Sequence, residues 1–250
     1  MEFILPDWHA PAHVKALTTT RVGGVSEPPY NSLNLGDHVG DRMVDVEQNR
    51  RSLLQTLRLN RAPQWLNQVH GVEVVKASDN GTVPQADACW TDETGLACIV
   101  MTADCLPVLF TNETGTQVAI AHAGWRGLQL GVLEATLKTF TPGEAVLAWL
   151  GPAIGPAAFE VGAEVREAFI GLDSVFAEGF RTLDRPGKYL ADLYHLARLK
   201  LECAGVKHIS GGQFCTYSDA GRFYSYRREG KTGRMASLIW IEKNQAVYCE

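Results

Sequence analysis

Leu96-Ala97-Cys98-Ile99-Val100-Met101-Thr102-Ala103-Asp104-Cys105-Leu106-Pro107-Val108-Leu109-Phe110 is the stretch on which the fold turns. The unbroken apolar run from Leu96 to Met101 predicts a strand buried on both faces. Apolar character resumes from Pro107 to Phe110 after a break at Ala103-Asp104-Cys105. Outward from this stretch, Gln117 to Ala121 reads as a second strand that ends at His122, and Val146 to Leu150 as another. Helical spacing covers Asp45 to Leu57, with Val46, Leu53, Leu54 and Leu57 on one side. It returns over Gly127 to Phe140, with Leu128, Val132, Leu133 and Leu137 facing inward. Further helices are expected at Gly162 to Phe169 and Asp192 to Ala204. Short strand-like pieces are expected between Gln64 and Lys76. Two late strands should flank the loop Ser218 to Arg234, one of them at Ser237 to Ile241. Helices and strands alternate in the middle while the ends are strand-rich, which predicts an α/β (α+β) domain with mixed β-sheets.

No repeat, low-complexity tract or charged linker divides the 250 residues, so one domain spanning residues 1–250 is expected. The apolar fraction of 46 % suffices for a core without disulfides. The balance of 23 basic against 28 acidic residues gives a formal charge of −5, with no basic tail. Nucleic acid is therefore not the expected partner. The N-terminal segment Met1 to Trp8 has neither the basic nor the apolar region of a signal peptide. No apolar run reaches the roughly 18 to 20 residues of a membrane span. The six scattered cysteines (Cys89, Cys98, Cys105, Cys203, Cys215 and Cys249) form no C-x-x-C pair and fit reduced thiols in the cytoplasm. The long irregular stretch Arg21 to Asp41, rich in Gly, Ser, Pro and Asn, has the length of a functional loop.

Three segments carry a metal-capable side chain at the end of an apolar strand or in a turn. They are Gln68-Val69-His70-Gly71, Thr102-Ala103-Asp104-Cys105 and His122-Ala123-Gly124-Trp125-Arg126-Gly127. Side chains from distant parts of a chain converge at strand ends in α/β proteins. Two imidazoles and a thiolate form a three-ligand zinc set that leaves a fourth position for water. The spacing matches no compact zinc signature. The same residues also suit a Cys–His nucleophilic pair, with Asp104 or another acid orienting the base.

These motifs closely resemble those of the YfiH family, also called the laccase-domain or polyphenol-oxidase-type family. The likeness includes Thr18-Thr19-Thr20-Arg21-Val22-Gly23-Gly24-Val25-Ser26, Ser32-Leu33-Asn34-Leu35-Gly36 and the three segments above. It continues through Gly151-Pro152-Ala153-Ile154-Gly155, Phe159-Glu160-Val161-Gly162, Tyr226-Arg227-Arg228 and Thr232-Gly233-Arg234. The resemblance implies a layered α/β/β/α fold and makes His70, Cys105 and His122 the metal ligands. It further implies a purine nucleoside phosphorylase acting on adenosine, inosine, guanosine or methylthioadenosine, with adenosine deaminase activity. The implied cofactor is Zn2+, with Cu2+ possible in its place, and the partners are a purine nucleoside and phosphate. Other members are described as polyphenol oxidases, or as peptidoglycan-editing enzymes that remove serine from a cell-wall precursor. The oxidase description fits poorly, because only seven histidines are present and no H-x-H pair occurs.

Roles follow as expectations. Cys105, Asp104 and Arg126 are the catalytic candidates, with Asp104 orienting a ligand histidine or moving a proton. Arg21, Asn34 and Arg50 are the substrate-binding candidates, because arginine's planar fork suits phosphate. Trp125 is placed to stack on a purine, and Glu160 is a weaker acid–base candidate.

Overall fold

The computed structural model describes residues 1–243, so Cys249 lies outside the described residues. Two sheets lie face to face with helices on their outer sides, which is the expected α/β/β/α layering. The four-stranded sheet runs in the order Phe3–Ile4, Val14–Thr19, Met235–Ile241, Ala97–Thr102, with every neighbour antiparallel. The six-stranded sheet runs His208–Gly211, Val146–Leu150, Leu106–Asn112, Val118–Ala123, Ala88–Thr91, Val74–Lys76. It is mixed, because both edge strands pair in parallel and the inner ones antiparallel. A small third sheet is built from Phe180–Thr182, Lys188–Ala191 and Glu160–Gly162.

The side-chain period of two sorts each strand between layers. Cys98 and Val100 point into the space between the two large sheets, where they meet Cys89, Leu109, Ile120 and Trp149. Ala97 and Ile99, one residue out of phase, face Leu53 of the helix Met43–Thr56. On the other side of the molecule Val108, Phe110, Ala119 and Ala121 pack under Val165 and Phe169 of Ala163–Ile170 and Leu196 and Leu201 of Leu193–Cys203. With both faces covered, alternation in polarity disappears, which is why the two apolar runs read as continuous.

The expected helix Gly127 to Phe140 is two helices, Trp125–Leu130 and Val132–Leu137. Gly131 separates them at φ 102°, a left-handed conformation that caps the first helix and that glycine adopts at low cost. Strands at Phe3–Ile4, Val14–Thr19, Ala88–Thr91, Glu160–Gly162, Phe180–Thr182 and Lys188–Ala191 were not expected. They are short, or polar on one side, and tertiary pairing defines them. The stretch Arg21 to Asp41 is irregular throughout, as expected, and Tyr30, Leu33 and Leu35 within it are buried. No described helix is long and apolar enough to cross a membrane. Cys89, Cys98, Cys105, Cys203 and Cys215 are all free.

Candidate active site

Ala97–Thr102 and Leu106–Asn112 belong to different sheets, so Ala103-Asp104-Cys105 carries the chain across the layer boundary. The crossing is tight, and Asp104 takes φ 88°. One strand over, Pro107 pairs with His122 and Leu106 with Ala123, which brings the imidazole of His122 beside Cys105. His70 arrives from the loop before Val74–Lys76 at φ 60°, a left-handed conformation that needs external support. The ligand atoms of His70, Cys105 and His122 lie within 4.8 Å of one another. The Sγ of Cys105 is 3.8 Å from Nε2 of His70. The two rings meet edge to face at 4.8 Å between centroids.

The support comes from Asp87, a fully buried residue directly before Ala88–Thr91. Its Oδ1 accepts from the His70 N–H at 2.9 Å and from Nδ1 of His122 at 2.8 Å. Its Oδ2 accepts from the N–H groups of Val69 at 3.1 Å and Gly71 at 2.7 Å. One carboxylate thus shapes the His70 turn and fixes the His122 ring, leaving Nε2 of His122 to face the sulfur. Burial alone would raise Asp87, but His122 and these N–H groups hold it below the usual carboxylate range. Burial would likewise raise the Cys105 thiol, yet His122 and His70 bring it down to about 6. Burial would lower His122, and Cys105 and Asp87 instead push it up to about 9. Both shifts favour a thiolate on Cys105 beside an imidazolium on His122 at neutral pH.

The donor set fits zinc. Ligand atoms around a tetrahedral zinc lie roughly 3.3–3.8 Å apart, and the Cys105–His70 separation falls at the edge of that range. Gly124 is required by the same packing, since a Cβ there would sit 2.8 Å from Cδ2 of His70 and 3.0 Å from Sγ of Cys105.

Two cavities adjoin this group and share Ala103, Cys105 and Tyr226 as a common wall. One, ≈ 260 Å³, also has His70 and His122 in its lining and is completed by His38, Gln68, Met101, Thr102 and Arg234. The other, ≈ 240 Å³, is completed by Trp125, Arg126, Ile154, Phe159, Leu193 and Arg227. A larger cavity of ≈ 430 Å³ beside Arg61 and Trp240 touches none of the three ligands.

Of the residues expected to contact substrate or take part in chemistry, Cys105, Asp104 and Arg126 line one or both of the two cavities, whereas Arg21, Asn34 and Arg50 line neither, and Arg50 reaches only Met101 Sδ behind the first, at 3.8 Å. Arg21 is paired with Glu229 at 2.7 Å and lies over the Tyr224 ring. Arg50 donates to the Leu35 carbonyl, pairs with Asp37 at 3.2 Å and stacks on Trp65. Asn34 is wholly buried, and its Oδ1 accepts from the N–H groups of Gly36 and Arg234, both at 2.9 Å. All three hold the Arg21–Asp41 loop in place, because its carbonyls and N–H groups have no strand partner.

Asp104 also differs from expectation. Its carboxylate accepts from Oγ1 of Thr216 at 2.6 Å and the N–H of Arg227 at 2.7 Å, so it positions the helix Tyr226–Glu229. The carboxylate that fixes an imidazole of the group is Asp87 instead. Glu160 is bonded to Arg185 at the surface, away from the ligand group. Arg126 is exposed, with its guanidinium 4.6 Å above the Trp125 ring. Sequence reasoning missed Asp87 altogether; its signal is an acid directly before the apolar Ala88-Cys89. It also left Tyr226, Arg227 and Arg234 without roles.

The family model described as multi-copper polyphenol oxidoreductase laccase matches residues 15–242. The chain is 56 % identical to a purine nucleoside phosphorylase of Pseudomonas aeruginosa, over 96 % of this chain and 98 % of the relative. It is 53 % identical to purine nucleoside phosphorylase YfiH of Escherichia coli, over 96 % and 99 %. Among solved structures, a Neisseria meningitidis protein superposes with a TM-score of 0.93 at 50 % identity, covering 97 % of this chain and 100 % of that one. YlmD from Geobacillus stearothermophilus gives 0.83 at 34 % identity, covering 93 % of each chain.

Proposed function

This chain belongs to the multi-copper polyphenol oxidoreductase laccase family, and from that membership we propose that it is a zinc-dependent purine nucleoside phosphorylase. One observation carries the reading. His70, Cys105 and His122 all line one cavity, and Cys105 also lines the second, in a chain whose end-to-end relatives bear that enzyme's name. Zinc is favoured over copper redox chemistry because the described residues hold a single His/Cys/carboxylate group of this kind, whereas a multicopper oxidase needs several. When bound, zinc supplies a Lewis acid beside the cleft. His70, Cys105 and His122 would hold it, Asp87 orients the His122 imidazole and shapes the His70 turn, and Asp104 fixes the helix that brings Tyr226 to the shared wall. The substrates are adenosine, inosine, guanosine and methylthioadenosine, split by phosphate, with deamination of adenosine as a second activity. A cytoplasmic location is part of this reading, supported by the free thiols of the five described cysteines.

The test is zinc-loaded protein given inosine with and without phosphate. Hypoxanthine and ribose 1-phosphate should appear only with phosphate, and no turnover of any purine nucleoside sinks the reading. A second reading draws on the depressed Cys105 thiol, which is what an amide hydrolase with a cysteine nucleophile needs. Cys105→Ala separates the two: loss of zinc together with activity supports the metal role, and a zinc-replete inactive protein supports the nucleophile.

A further inference from the structure

We propose that the two cavities divide the substrates, phosphate lying against Arg234 in one and the purine against Trp125 and Phe159 in the other. The ribose then bridges them along the Cys105–Tyr226 wall. This rests on the phosphorylase reading, which requires entering and leaving groups on opposite faces of C1′. A phosphate oxygen forms its bond to C1′ while the C1′–N bond breaks. The electron pair of that bond stays on the purine nitrogen, which takes up the proton that hydrogen phosphate gives up. Two cavities that share a wall supply separate places for the entering and leaving groups.

Charge decides which cavity takes which group. Arg234 lines the first cavity and has no carboxylate partner among the described residues, unlike Arg21 and Arg50. Its Nη1 donates to the carbonyls of Thr232 at 3.1 Å and Gly233 at 3.0 Å. Nε and Nη2, an edge that can make paired bonds to an oxyanion, donate to nothing among the described residues. A partly buried cation with an open fork calls for an anion. Thr102, 1 % exposed, is among the residues around the same cavity, and its buried hydroxyl has no partner among the described residues. The backbone is built around this arginine: Asn34 holds its N–H, and a Cβ on Gly36 would come within 2.8 Å of its Cγ.

The second cavity has the opposite character. Trp125, Ile154, Phe159 and Leu193 give it apolar and aromatic walls suited to a flat base. Its two arginines are exposed and laid over rings, Arg126 on Trp125 and Arg227 on Phe159 at 5.2 Å.

The experiment measures KM for phosphate and for inosine, and calorimetric binding of inorganic phosphate, in zinc-loaded wild type, Arg234→Gln, Arg234→Lys and Trp125→Ala. Arg234→Gln should raise the phosphate KM and the phosphate Kd about 10- to 100-fold, with the inosine KM within about twofold. Arg234→Lys, which keeps the charge and loses the fork, should raise the phosphate KM several-fold. Trp125→Ala should raise the inosine KM about tenfold and leave phosphate alone. Melting curves and zinc content identify any misfolded variant, and if Arg234→Gln does not fold, an unchanged phosphate KM in Arg234→Lys overturns the proposal. Unchanged phosphate binding in Arg234→Gln, or a crossed pattern between the variants, overturns it as well. Wild type that binds phosphate through Arg234 and splits no nucleoside ends the phosphorylase reading while leaving the phosphate subsite standing.

Discussion

The two sides of the cleft are built by different chemistry. On the histidine side one buried carboxylate, Asp87, accepts from three successive N–H groups and an imidazole. On the loop side, neutral amides and hydroxyls accept from N–H groups, as Asn49 Oδ1 does from Val25 and Ser32 Oγ from Gly23 and Gly24, while other side chains donate to carbonyls. Nδ2 of Asn49 donates to Oγ of Ser26 and the carbonyls of Ser32 and Asn34. Arg21 donates to the carbonyls of Asn31 and Ala220, and Arg50 to that of Leu35. A tight turn presents N–H groups alone and recruits an acid, whereas a long wandering loop presents both N–H groups and carbonyls and recruits amides, hydroxyls and guanidinium groups. The same side chains that suit a substrate anion are thus absorbed as scaffold wherever a loop leaves its carbonyls unpaired.

The largest expected effect is on the acid-built side. In metal-free protein the Cys105 thiolate should titrate near pH 6 by its absorbance at 240 nm, set against Cys105→Ala as blank. In His122→Gln the midpoint should climb back toward 9. The signs of the two stability contributions oppose. A depressed Cys105 stabilises the fold fully above about pH 9 and loses that contribution as pH falls through 6. A raised His122 stabilises fully below about 6.5 and loses its contribution as pH rises through 9. The metal-free stability due to this pair should therefore be nearly flat between those limits. An ordinary thiol titration in the wild type breaks the comparison at its root.

Next comes Asp87→Ala. It strips the acceptor from the His70 turn and frees the His122 ring, so zinc affinity should fall about 10- to 100-fold in a chelator competition. Affinity within twofold of wild type would mean that Asp87 does not build that side. The smallest effects belong to the loop side. Asn49→Ala should cost about 1–3 kcal/mol in urea unfolding, and Arg50→Lys about 1 kcal/mol through its lost stack on Trp65. Both should leave zinc content unchanged and the phosphate KM within about twofold. A tenfold phosphate effect in Arg50→Lys would return Arg50 to the substrate and erase the distinction.

Much of the fold was legible because doubly covered strands leave unbroken apolar runs, as Ala97–Thr102 and Val146–Leu150 do. His70, Cys105 and His122 were legible as a group because family motifs flank each of them, and the structure brings their ligand atoms together. What stayed hidden was the partner of each polar group. Nothing in the local sequence says that Arg21 will meet Glu229, more than two hundred positions away, or that Asp87 will reach back to residues 69–71. Arg234 carried a motif but no sign that its fork would be left open. Val14–Thr19 was missed because its Lys-Ala-Leu-Thr-Thr composition gains strand character only by pairing with Met235–Ile241.

That last pairing has a consequence for how the protein is made. Met235–Ile241 lies between Val14–Thr19 and Ala97–Thr102, so a strand from early in the chain waits beside an empty place until residues 235–241 leave the ribosome. The strands around His122 close among themselves well before that. In the proposed roles, the residues for the metal are therefore made before Arg234, the residue for the anion, and the unpaired edge in between is of the kind that invites pairing with another chain.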